Sequence, residues 1–223
     1  MRSIAIAATL ATALAGGCSS SAVDPVQTAS VEVDHMAEVV KVYVGGGHGS
    51  GFHICNGLVV TAAHVVDKGA IEKLTFENGG EESATVLWSN KEYDIALLRM
   101  GDMADRFAVP AANLECRVPK VGEPILARGN PGSIEFIEVR GFVAGKMRKV
   151  GDAWLEGVIT DISFTGGISG GPVYDAGGNV VGVAVGVMAA PTGSGRDGYG
   201  TGVAVIVPAS TVCMLLGREV EVG

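Results

Sequence analysis

The 223-residue chain has no surplus of basic charge: 16 Lys and Arg stand against 24 Asp and Glu, a formal net charge of −8. A nucleic-acid partner needs a basic face, so that class is excluded. No apolar run reaches the roughly 20 residues that span a bilayer as a helix. No CxxC pair occurs, so the cysteines give no support for a zinc site. Helix-period segments between the strand-like runs are missing, which argues against a parallel sheet. No histidine follows His64, and that absence decides a point of chemistry below.

Glycine, by contrast, is abundant: 34 of 223 residues, without a collagen period, against a usual share of about 7%. Val and Ala dominate the apolar residues. Short Val-rich runs punctuated by Gly read as many short strands joined by tight turns. Such runs fall at 38–44, 52–55, 57–61, 73–76, 83–88 and 95–100 in the first half. In the second they fall at 123–129, 134–140, 141–147, 153–160, 172–175, 180–187 and 200–207, with a helix-like end at 208–216. The expected fold is all-β: two six-stranded antiparallel Greek-key barrels and a short C-terminal helix. The first barrel is expected over 35–110, a connector over 111–122, and the second barrel with its helix over 123–223.

Residues 1–18 read as an export signal, with Arg2 ahead of an apolar run at 4–15. Leu14-Ala15-Gly16-Gly17-Cys18 resembles the lipobox of bacterial lipoproteins, which makes Cys18 a candidate lipidation site; ordinary cleavage nearby is the alternative. Residues 19–34 look like a polar tether. The expectation is therefore an exported chain, lipid-anchored to the cell envelope (periplasm or outer membrane) or secreted. An exported setting permits disulfides. With Cys18 consumed, Cys55, Cys116 and Cys213 remain, an odd count that leaves at least one thiol over. A Cys116–Cys213 bridge is expected, three free buried cysteines being the alternative.

Thr165-Gly166-Gly167-Ile168-Ser169-Gly170-Gly171-Pro172 sets one serine inside a glycine run. Its hydroxyl is a poor nucleophile without a base, and its neighbours' N–H groups suit a developing negative charge. His64 follows a strand-like run and a small-residue pair, and Asp94 precedes an apolar run. His64 is the candidate base and Asp94 the group that fixes its tautomer. The N–H groups of Gly167 and Ser169 are the candidate oxyanion hole. Gly167-Ile168-Ser169-Gly170-Gly171 also fits the nucleophile elbow of α/β-hydrolases, but that fold needs its histidine after the serine. His48 and His53 lack a carboxylate or further histidine at ligand spacing, so no metal is expected, and no cofactor.

In combination these motifs resemble the trypsin-like (chymotrypsin-fold) serine proteases, and within them the bacterial HtrA-like branch. The likeness runs over about residues 38–216. It rests on Gly49-Ser50-Gly51-Phe52, Leu58 to Val66, Asp94-Ile95-Ala96-Leu97-Leu98, Gly129-Asn130-Pro131-Gly132, Thr160 to Val173 and Gly200 to Pro208. It implies the trypsin-like fold and a His64-Asp94-Ser169 triad that cleaves peptide bonds in protein or peptide substrates. It also implies a specificity pocket formed by Ser163 with a wall of Val183, Val185 and Val187. No acidic residue stands at the pocket base, so a Lys or Arg preference is not expected; small or aliphatic side chains are. Ile168 stands where digestive members have an aspartate, so activation by an ion pair to a new N-terminus is not expected. No room for a PDZ domain is expected after the terminal helix, and no oligomeric state is implied. The competing reading is a catalytically silent binding or structural lipoprotein on the same fold; an esterase would use the same chemistry.

Overall fold

The computed structural model describes residues 38–101, 109–190 and 199–217. The leader, Cys18, the tether and part of the expected loop at 189–198 lie outside the described residues. The first strand, β1 (Val39–Val44), is buried along almost its whole length. It is central in its sheet, with β2 (Gly47–Cys55) on one side and β4 (Ile71–Phe76) on the other. The β1–β2 turn runs through Gly45 and Gly46 at φ 54° and 74°, and the turn from β2 to β3 (Leu58–Thr61) through Asn56 and Gly57 at 48° and 71°. Two central residues at positive φ are what two-residue hairpins matching the strand twist require. β5 (Glu81–Glu82), β6 (Ala84–Asn90) and β7 (Ile95–Met100) complete the sheet.

Its strand order is β5-β4-β1-β2-β3-β7-β6, all neighbours antiparallel. The sheet thus has seven strands and stays open, where the sequence suggests a closed barrel of six. The seventh is the two-residue β5. The open end is β6, which is bulged between Val86 and Trp88 and exposes Val86 and Leu87. A bulge twists an edge away from further pairing.

The second sheet closes. Its order around the barrel is β10-β13-β12-β11-β8-β9, with β8 Pro124–Gly129, β9 Ile137–Val150, β10 Trp154–Thr160, β11 Pro172–Tyr174, β12 Val180–Ala190 and β13 Tyr199–Pro208. The runs at 134–140 and 141–147 read as two strands in sequence, but they are one 14-residue strand. Its first part pairs with β8, from Ile137↔Gly129 to Phe142↔Pro124, and its second part with β10. One strand serving two neighbours in succession is how a bent strand closes a small barrel.

Among the described residues two helices flank the strands: α1 (Ala63–Val66), directly after β3, and α2 (Ala209–Leu215), after β13. Cys213 on α2 is bonded to Cys116 in the connector, with Cα atoms 5.7 Å apart. One apolar core fills the first sheet and continues through Tyr174, Val183, Val185, Val205 and Val207 onto the second; a smaller core of Ile125, Val143, Val158, Ile206 and their neighbours fills the barrel. The two sheets therefore share buried surface, and the site lies where they meet.

Candidate active site

His64 owes its placement to a helix only four residues long. Such a helix has more free N–H groups than internal acceptors, and its N-cap, Ala62, offers no side-chain oxygen. Asp94 supplies both acceptors. Its carbonyl takes the Ala63 N–H at 3.1 Å and its Oδ1 takes the His64 N–H at 2.9 Å. Asp94 stands just before β7 at φ 57°, a left-handed conformation that aspartate tolerates better than most residues.

The same carboxylate holds the imidazole. His64 Nδ1–H donates to Asp94 Oδ2 at 2.8 Å, with Oδ1 at 3.0 Å. Because a carboxylate only accepts, the hydrogen sits on Nδ1 and the Nε2 lone pair is left outward. Asp94 is nearly buried while the His64 side chain is 41% exposed. A third donor reaches the carboxylate from the other sheet: Trp154 Nε1–H, 2.9 Å from Oδ2. Trp154 opens β10.

Ser169 lies in the loop between β10 and β11, and this loop is held by the first sheet. Ser50 N–H donates to the Ser169 carbonyl at 2.8 Å, and Ser50 Oγ–H to the Gly167 carbonyl at 2.8 Å. Ser50 Oγ in turn accepts from Asn130 N–H at 2.9 Å and Asn130 Nδ2 at 3.1 Å. Asn130 is fully buried. The loop abuts the start of α1: a β-carbon on Gly170 would stand 2.3 Å from Thr61 Oγ1 and 2.8 Å from Ala62 N.

Around Gly167 the chain makes a type II turn, with Ile168 N–H donating to Thr165 O at 3.2 Å and Gly167 at φ 104°. Gly132 N–H holds the Gly166 carbonyl at 2.8 Å. In a planar trans peptide N–H and C=O point opposite ways, so this bond also aims the Gly167 N–H away from Gly132. Among the described residues, the N–H groups of Gly167 and Ser169 have no acceptor. A side chain at Gly167 would stand 2.2 Å from Asn130 O and 2.7 Å from His48 Nε2.

A cavity of about 400 Å³ opens beside the imidazole, lined by His64, Asp94, Trp154, Val185, Gly186 and Val187 among others. Of the expected pocket wall, Val185 and Val187 line it. Val183 does not: it is wholly buried in the core, paired with Pro172 and Val207. Ser163 is exposed at the start of the nucleophile loop and lies outside this cavity. No hydrogen bond joins Ser169 Oγ to His64 Nε2 among the described residues. His53 is used up structurally, Nδ1 donating to Pro110 O at 2.9 Å and Nε2 accepting from Gly57 N–H at 3.3 Å. His48 Nε2 bonds Asn130 O at 2.8 Å.

Three residues here escaped the sequence. Ser50 and Asn130 lie within the two glycine motifs quoted for the resemblance, but nothing in those motifs says that the two side chains meet. Trp154 carried one usable signal: a buried indole N–H needs an acceptor, and the chain has only two tryptophans.

An open antiparallel sheet carrying His64 and Asp94 packs against a closed barrel whose Ser169 loop abuts the start of the His64 helix, an arrangement of the trypsin-like class. The chain belongs to the trypsin-like peptidase domain family, whose sequence model matches residues 49–183. A probable periplasmic serine endoprotease DegP-like of Brucella suis biovar 1 (strain 1330) is 29% identical over 177 residues, covering 78% of this chain and 33% of its own length. The putative serine protease HhoA of Synechocystis is 29% identical over 155 residues, 67% of this chain and 39% of its own length. The chain thus spans about a third of the curated relatives it matches. Among solved structures, the Rv3671c protease in its inactive form has a TM-score of 0.68 at 22% identity, covering 82% of this chain and 89% of that one. The serine endoprotease from Yersinia pestis has a TM-score of 0.65 at 22% identity, over 82% of this chain and 62% of that one. At these identities the structural likeness speaks for the fold.

Proposed function

We propose that the chain is an exported serine endopeptidase that hydrolyses peptide bonds through an acyl-enzyme on Ser169. The observation that carries this reading is the grip of Asp94 on His64 Nδ1, which leaves Nε2 as an acceptor beside the Ser169 loop. In this reading the Ser169 hydroxyl must meet Nε2. As Oγ attacks the scissile carbonyl, Nε2 takes the hydroxyl proton and Asp94 stabilises the imidazolium. The carbonyl oxygen becomes an oxyanion and is received by the N–H groups of Gly167 and Ser169; one such donor is worth about 2.7–4 kcal/mol of transition-state stabilisation. His64 then gives its proton to the leaving amine, and a water repeats the sequence to free the acid.

The periplasmic name of the Brucella relative and the apolar leader both support export. Lipidation of Cys18 would tie the domain to the envelope. Acyl labelling that is lost in Cys18→Ser supports the anchor, and unlabelled wild type refutes it. Ser163 and the Val185–Val187 segment, without an acidic group among them, favour small or aliphatic residues over Lys or Arg at the scissile position.

The decisive experiment is labelling with a fluorophosphonate probe. Wild type is expected to label and Ser169→Ala is not. Label persisting in Ser169→Ala removes Ser169 as nucleophile. Unlabelled wild type that also leaves casein intact favours the silent binding lipoprotein.

A further inference from the structure

We infer that Trp154 is a positioning residue for Asp94 and also the wall of the substrate cavity. The inference rests on the peptidase reading above. Its first support is the hydrogen bond from the indole N–H to Asp94 Oδ2 at 2.9 Å. Oδ2 already accepts from His64 Nδ1, and Oδ1 from the His64 backbone. With donors on both oxygens from two sheets, the carboxylate has no free rotation left about its Cβ–Cγ bond. A nearly buried carboxylate needs each of these partners. The indole is a pure donor. It orients the carboxylate and cannot take the proton that must pass between Ser169 and His64.

The second support is that the surrounding chain is built to deliver this ring. The β9–β10 hairpin reaches from the barrel to the first sheet, where Leu155 N–H donates to Glu92 O at 3.0 Å. The receiving loop is itself fixed, since Asn90 Oδ1 accepts from the N–H groups of Glu92 and Tyr93 at 3.1 and 3.2 Å. On its other side the ring turns its Cζ2–Cη2 edge toward Gly186 of β12. A β-carbon there would stand 2.6 and 2.7 Å from the six-membered ring of the indole. Any residue but glycine at 186 displaces the ring. β12 is bulged between Ala184 and Gly186 at the same place.

The third support is the cavity. The indole lines it together with Ala63, Val185 and Val187, and its rim carries the Asp67–Lys91 ion pair. An apolar wall next to the imidazole suits an aliphatic substrate side chain close to the scissile bond. Trp154 thereby links occupancy of the cavity to the orientation of Asp94.

The test separates the two roles. Trp154→Phe keeps a ring and deletes the N–H. It is expected to lower kcat about tenfold, the scale of one hydrogen bond to a charged group, with KM unchanged. The loss should be equal on a small acyl ester, too short for the cavity, and on an extended peptide with an aliphatic side chain. Trp154→Ala should add a rise in KM for the extended peptide alone, and Gly186→Ala should reproduce this with Trp154 still present. A spectroscopic readout needs no turnover. With Trp88 and Trp154 the only tryptophans, the protein gives two indole N–H resonances, and Asp94→Asn should move that of Trp154 and leave that of Trp88. Wild-type kcat in Trp154→Phe, or an indole resonance indifferent to Asp94→Asn, overturns the inference. Absence of fluorophosphonate labelling in the wild type overturns the peptidase reading instead, and the resonance then still reports the Trp154–Asp94 contact.

Discussion

Ser50 shows how much one hydroxyl can hold. It donates to the Gly167 carbonyl, accepts two N–H groups of Asn130, and its backbone binds the Ser169 carbonyl. Ser50→Ala leaves two donors of a fully buried asparagine without this acceptor, a loss of about 1–3 kcal/mol. It also frees the peptide that follows Gly167. The expected outcome is a lower melting temperature together with a slower acylation burst, read by scanning calorimetry and stopped-flow release of a chromogenic leaving group. Gly167→Ala tests the same turn from the other side. Its β-carbon would meet Asn130 O at 2.2 Å, so the turn must open, and a fall of 10²–10³-fold in kcat is expected for one lost oxyanion donor. At this scale the sequence was partly legible. His64, Asp94 and Ser169 stood out because each chemical role admits few residue types and the order of the three is diagnostic. Trp154 and Asn130 did not, because their roles depend on partners 60 and 80 positions away.

Among the elements, most strands of the first sheet were readable from short Val-rich runs bounded by Gly. The run at 52–55 caught only the second part of β2, whose glycine-rich first part from Gly47 reads as a turn, and the two-residue β5 was missed. Nor was the single strand β9 readable as one. Gly141 sits in its middle, and a glycine within a strand-like run reads as a break; here the strand passes through it while changing neighbours. The openness of the first sheet was equally hidden, since short apolar runs mark strands and not which edges pair. The terminal helix was visible from its apolar run, and its attachment depends on the bridge from Cys213 to Cys116 across a sequence separation of 97. Cys213→Ala should lower unfolding free energy by about 2–5 kcal/mol, measured by guanidinium unfolding of oxidised protein. Reduced wild type should approach the same value.

The whole molecule carries a net charge of −8, yet several of its acids are locked to bases. Arg117 binds Glu123 through two hydrogen bonds, at 2.9 and 2.5 Å, and Asp175 through one at 2.9 Å. The Arg117 side chain holds the Glu123 carboxyl below its ordinary 4.5, against some burial. Lys41 does the same for Glu135 at the surface. At Glu138 burial pushes upward, but Arg140 and Arg128 outweigh it and the carboxyl is again held low. A carboxyl depressed in the folded state stabilises fully above its unfolded value and loses that contribution as pH falls through the folded one. Melting temperature should therefore decline as pH drops below the ordinary glutamate range. Glu123→Gln, which removes one of these linked titrations, should make the decline shallower over the same window; an unchanged slope would assign the acid sensitivity to other groups.

Ser50 belongs to the first sheet and the loop it grips to the second; Asp94 belongs to the first and its indole donor to the second. The reacting groups are thus wired as a conjunction: neither half carries a working centre unless the seam between them is shut. On the proposed peptidase reading, loosening this seam should abolish activity before the strands are lost. In a denaturant titration, activity should vanish while circular dichroism still reports intact strands, and it should return on dilution faster than the chain can refold.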